Sequence, residues 1–228
     1  MNSLKKIILS AALLVTTVSC GDYESFHDAL AAIEGGESWI YLYDDQIGDV
    51  GAIALAETLK NSQLTELNLG RNQIGDKGAR ALAEALKNSQ LTDLRLSYNR
   101  IGDDGAKALA DALEDSQLTQ LNLDHNQIGD DGAKALAAAL KDSQLIELTL
   151  GNNQIGDEGI WALKNVLKDS QLLDLGLGPT YNQILLNSLN SIVGRSKSPN
   201  RIEENSIEQL NDALSALHKK HLTFGKLI

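Results

Sequence analysis

From residue 64 onward the chain repeats itself every 27 residues. Leu64-Thr65-Glu66-Leu67-Asn68-Leu69 opens a unit that closes at Gln90, and Leu91, Leu118 and Leu145 open the next three. The shared text is L-x-x-L-x-L-x-x-N-x-I-G-D-x-G-x-x-A-L, closing on a Ser-Gln pair. A divergent copy precedes them from about residue 37 to 63. It keeps Ile40, Leu42, Ile47, Gly48, Asp49 and Gly51 but has Asp45 where the others have Asn. A degraded copy begins at Leu172, keeps Leu175 and Leu177, then inserts Pro179-Thr180 and loses the Gly-Asp pair. A fixed period of this length marks a stacked array, in which no unit can bury its apolar side alone.

Within one unit, Leu67 and Leu69 alternate with Glu66, Asn68 and Gly70. That is a short strand with one buried face. The alanine-rich stretch from Lys77 to Leu86 has high helix propensity. Asp76, just before it, is expected to cap the free amides of that same helix and to suit its positive end. Gly78, Leu82 and Leu86 fall on one helix face, with Ala81 and Ala85 beside them. Strand, helix and strand running in one direction give a parallel sheet with right-handed crossovers. The fold class is therefore α/β, a curved solenoid with strands on the inner wall and helices on the outer.

These residues resemble the leucine-rich repeat in its ribonuclease-inhibitor-like form, over residues 37–193, in about six copies. The resemblance implies a horseshoe segment whose concave strand face is the recognition surface. Asn72, Asn99, Asn126 and Asn153 sit at the strand-to-helix turns, where an Asn side chain can satisfy turn amides and carbonyls. In leucine-rich repeats such residues form an asparagine ladder. Helical caps are expected at both ends. Residues 20–36 carry the first, where Ser25-Phe26-His27-Asp28 reads as a capping box ahead of Ala29, Leu30 and Ile33. Residues 194–228 carry a linker with Pro199 and then a helix over 203–221, with Ile207, Leu210, Leu214 and Leu217 on one face. That helix closes the array or docks a partner.

Residues 1–19 read as an address. Lys5 and Lys6 precede the apolar run Ile7 to Val18, which falls short of the ~20 residues that span a bilayer. Val18-Ser19-Cys20 resembles the bacterial lipoprotein signal, departing from it at Thr17. The resemblance implies that Cys20 is lipidated and begins the mature chain, anchored to the membrane without spanning it. Gly21 in place of Asp favours the outer over the inner membrane. The alternative is an ordinary cut that leaves Cys20 a free thiol. Either way the chain crosses the inner membrane, and the cell envelope is its expected location.

Candidate chemistry is sparse. A single cysteine excludes a disulfide framework and a zinc knuckle. A net charge of −11 argues against nucleic acid and anionic membrane surfaces. Asp103-Asp104-Gly105 and Asp130-Asp131-Gly132 lack the order of a calcium loop. His218 and His221 offer two metal ligands with no third in view. No nucleophile elbow, phosphate loop or HExxH is present. The expectation is a monomeric, non-catalytic binding protein with no cofactor or metal.

The copies differ where their strands face outward. Trp39, Tyr41 and Tyr43, three of nine Trp, Tyr and Phe residues, share the first strand. They anchor a partner or a sugar ring, or else pack beneath the first cap. Glu66, Asp93, Glu147 and Asp174 share one column, interrupted by Gln120. Neighbouring strands lie ~4.8 Å apart, where like charges cost on the order of 1 kcal/mol. Such a column steers a basic partner or simply keeps a face solvated. Arg71, Arg95, Tyr98 and His125 are the variable contacts. The expected partner is a protein, with a basic one and one of host origin among the candidates. The competing functions are an envelope scaffold with an inert inner face and a carbohydrate binder using the aromatic strand.

Overall fold

The computed structural model describes residues 26–178. The expected signal, Cys20, the end of the last copy beyond residue 178 and the helix over 203–221 lie outside the described residues. One compact unit runs to Gly176 and a second from Leu177 to Ile228. All the elements below belong to the first.

Helix α1 (Phe26–Glu34) leads into strand β1 (Trp39–Tyr41), and strand and helix then alternate. The order is α2 (Gly48–Leu59), β2 (Glu66–Asn68), α3 (Asp76–Leu86), β3 (Asp93–Arg95) and α4 (Asp103–Leu113). It continues with β4 (Gln120–Asn122), α5 (Asp130–Ala139), β5 (Glu147–Thr149), α6 (Asp157–Val166), a 3-10 turn and β6 (Asp174–Gly176). The six strands form one parallel sheet in chain order. Their register equals the sequence period, so Leu67 pairs with Leu94, Leu121 and Leu148 in turn. Those leucines are fully buried, as are Leu69, Ile74, Leu82 and Leu86 of the second copy. The result is an α/β solenoid.

In α3 the buried face is Gly78, Ala79, Leu82, Ala83, Ala85 and Leu86. Ala81, expected beside this stripe, is only half-buried. At 100° per residue the stripe centres between Leu82 and Leu86 on the side of Ala79 and Ala83, which leaves Ala81 on the rim.

The Gly-Asp-x-Gly text works differently from its sequence reading. Asp76 is already the first helical residue of α3. The N-cap is Gly75, whose extended backbone brings no side-chain cap. Asp76 Oδ1 instead reaches forward to α4, where it accepts from the Gly102 amide at 2.7 Å and the Gly105 amide at 2.9 Å. Asp49 does the same for Gly75 and Gly78, Asp103 for Gly129 and Gly132, and Asp130 for Gly156 and Gly159. The starts of α3, α4, α5 and α6 are thus capped by the previous repeat. A carboxylate in a helical residue cannot fold back on its own first amides as an extended N-cap residue does. The glycines make room for the visiting oxygen: a Cβ on Gly105 would sit 2.8 Å from Asp76 Oδ1 and from Ile101 Cγ2.

The closing serines also have a role. Ser89 donates to the Leu86 carbonyl at 3.1 Å and accepts from the Leu91 amide at 3.4 Å, joining helix end to next strand. Ser62, Ser116 and Ser143 repeat the arrangement. Helix α1 buries Phe26, Ala29, Leu30 and Ile33. Phe26 packs at Gly51 of α2, where an added Cβ would lie 3.5 Å from its ring.

Candidate recognition face

The asparagines fix the turns that frame this face. Asn99 Oδ1 accepts from the amides of Asn72 and Ile74 at 3.0 and 2.9 Å, both one repeat earlier. Its Nδ2 donates to the carbonyls of Leu69 and Leu96 at 2.9 and 3.0 Å. Asn72 binds the Asp45 and Ile47 amides and the Leu42 carbonyl in the same way. Asn126 and Asn153 bind Ile101 and Ile128. The ladder satisfies backbone groups that no strand partner reaches.

Just before each ladder position the backbone turns left-handed at a residue other than glycine. These are Asp44, Arg71, Tyr98, His125 and Asn152, with φ of 68°, 57°, 55°, 53° and 54°. Their side chains line an open groove of about 610 Å³ along the turn edge of the sheet. Tyr98 and His125 stack with ring centroids 3.9 Å apart and planes 11° from parallel. His125 Nε2 lies 3.0 Å from Asn152 Nδ2. Arg71 Nη1 stands 3.7 Å from Asp44 Oδ2. Arg100, which the sequence reading did not single out, lines the same groove and donates to Gln73 Oε1 at 3.1 Å. The sequence held a signal for it: the position is Gln in the other copies, at residues 46, 73, 127 and 154.

The aromatic strand is on display. Trp39 is 48% exposed and Tyr41 43%. Tyr43 is half-buried and lies over Gly70, where a Cβ would come within 2.6 Å of its ring. Tyr41 and Tyr43 stack at 6.1 Å. At that exposure Trp39 and Tyr41 are not core packing beneath the first helix, whose buried residues are Phe26, Ala29, Leu30 and Ile33.

The acidic column needs correction. Glu66, Asp93, Gln120, Glu147 and Asp174 do sit on neighbouring strands in register. Asp93, however, is not a displayed acid. Its side chain is only 12% exposed, and Arg95 grips it with Nη2 at 2.7 Å from Oδ2 and Nε near both oxygens. Residues two apart on a strand share a face, and the long Arg95 stem folds back along it. The hydrogen bond to Asp93 raises the Arg95 pKa, against the opposing effect of burial, and the charges of Asp93, Glu66 and Glu147 add to it. Two expected contacts thus form one closed pair. The column is Glu66 at one end and Glu147 with Asp174 at the other, separated by neutral surface.

Among the described residues, no group of three His, Cys, Asp or Glu side chains is placed to hold a metal ion. Four segments, residues 60–83, 87–110, 116–137 and 143–164, match the Leucine Rich repeat family. These four segments are leucine-rich repeats. Two solved structures with TM-scores above 0.5 are similar in fold. Leiomodin-1 Actin-Binding Site 2 is 21% identical with a TM-score of 0.51, covering 77% of this chain and 95% of its own. The tropomodulin C-terminal domain of Caenorhabditis elegans is 16% identical with a TM-score of 0.51, covering 78% and 98%. An internalin from Listeria monocytogenes is 25% identical with a TM-score of 0.40, covering 56% and 31%. No curated protein sequence matches the chain.

Proposed function

We propose that this leucine-rich-repeat chain is a non-catalytic protein-binding module of the bacterial cell envelope, and that its strand face is the recognition surface. One observation carries the reading. Core and turn positions repeat almost unchanged, while the outward strand positions vary between copies and display Trp39 and Tyr41 to solvent. Exposed aromatic pairs of this kind are frequent anchors of interfaces. The actin named for one structural neighbour is not carried over, because at 21% identity the likeness extends to the fold alone.

The repeats are of the ribonuclease-inhibitor-like type, with a full helix in each 27-residue unit. The leader delivers the chain across the inner membrane, and a lipid on Cys20 tethers it, with Gly21 favouring the outer membrane. Acylated mass in the membrane fraction supports the tether if Cys20→Ala abolishes both. A plain cleaved mass in soluble fractions removes it.

The test of the module is differential capture. Immobilised wild type should retain a protein that the Trp39→Ala/Tyr41→Ala variant does not. Equal retention by both would remove the aromatic strand from the interface. The same exposed rings favour carbohydrate as a second reading. Quenching of tryptophan fluorescence by glycans, lost in Trp39→Ala, would establish it instead.

A further inference from the structure

We propose that the groove at the turn edge grips the carboxylates of an acidic stretch in the protein partner, using Arg71 and Arg100 beside the Tyr98–His125 stack. The proposal rests on the reading of the chain as a protein-binding module and assigns that partner's chemistry. It replaces the basic partner that the column of acids suggested.

The arginines separate into two kinds. Arg95 is committed: half of its side chain is exposed, yet Nε and Nη2 are bound to the carboxylate of the buried Asp93. Arg71 and Arg100 are open. Arg71 stands 3.7 Å from Asp44, beyond hydrogen-bond length, and both side chains are more than half exposed. A pair like that holds its partners weakly. Arg100 donates to the neutral amide of Gln73, and no salt bridge involving it occurs among the described residues. Both guanidinium forks therefore have donors left for a carboxylate, whose geometry they match.

The backbone supplies a second argument. The left-handed turn position suits Asn and Asp, and the first and fifth copies use Asp44 and Asn152 there. Arg71 and Tyr98 occupy the same position at φ of 57° and 55°, where bulky side chains are disfavoured. Asp and Asn stand at this turn in other copies, so the backbone itself does not call for Arg71 or Tyr98 there. Tyr98 keeps 49% of its surface open while His125, held at Asn152, backs it. Tyrosine and arginine together are the usual centre of a binding hot spot. Glu66, Glu147 and Asp174 elsewhere on the face would repel an acidic segment and confine it to the groove.

The test uses the full chain with fluorescein-labelled hexaglutamate, hexalysine and a galacturonic-acid hexamer, read by anisotropy at low salt. Hexaglutamate should bind, and Arg71→Gln/Arg100→Gln should weaken it about tenfold or more, the loss of a charge-assisted contact. Lys87→Gln, on the helix side, should leave it unchanged. Arg71→Asn should weaken binding while melting at or above the wild-type temperature, which separates loss of a contact from loss of fold. Tighter binding of hexalysine, an unaffected double variant, or binding of the galacturonate alone would overturn the proposal. If hexaglutamate fails while Trp39→Ala/Tyr41→Ala still loses the captured protein, only the groove assignment falls. If the wild type captures no protein either, the module reading falls with it.

Discussion

Asp76 shows how one residue can be placed correctly by sequence and still be assigned the wrong partner. Its position ahead of a helix pointed to a local cap, yet its acceptor oxygen serves amides 26 and 29 residues further on. No pattern within a single unit carries that information, because the partner arrives only when units stack. Asp76→Ala should cost about 1–3 kcal/mol, as the loss of a charged cap does. Hydrogen exchange should quicken at Gly102 and Gly105 in the next repeat, not at the first amides of α3. Quickening confined to α3 would mean that Asp76 caps its own helix. Arg95 gives the companion case. Sequence alternation put it and Asp93 on one face but could not show them closing on each other. Because its pKa is raised, the stability that Arg95 gains is present below the ordinary arginine value and disappears only in strong alkali.

At the scale of elements, the strand leucines and the helical alanines were legible because their periods differ, two against 3.6. The Asn ladder was legible as a column. The serine closures were not, since a Ser-Gln pair carries no helix or strand signal of its own. The left-handed turn residues were hidden because Arg71, Tyr98 and His125 are not the types that announce such a turn. Helix α1 closes the first repeat through Phe26, which is almost wholly buried. Phe26→Ala should cost ~3–5 kcal/mol. In a solenoid that loss stays local. Exchange protection should fall in β1 and α2 while α4 and α5 keep theirs. Uniform loss along the array would show that the repeats unfold as one unit.

For the whole molecule, repeated units build a sheet whose two sides have opposite fates. The helix side repeats alanine and charge. The strand side and its turn edge collect what differs between copies: the aromatic strand, the split acidic column and the groove with two open arginines. The sequence made this asymmetry visible as face-restricted variation, and the structure added which of those side chains are free to act. The chain carries its own control for the claim that the strand side is the binding side. Its two tryptophans are almost equally exposed, Trp39 at 48% on β1 and Trp161 at 50% on α6. Oxidative footprinting of the full chain, with and without the protein it captures, reads both at once. The account predicts that binding protects Trp39 and leaves Trp161 as reactive as before. Protection of Trp161 with Trp39 unchanged would place the partner on the helices and contradict it.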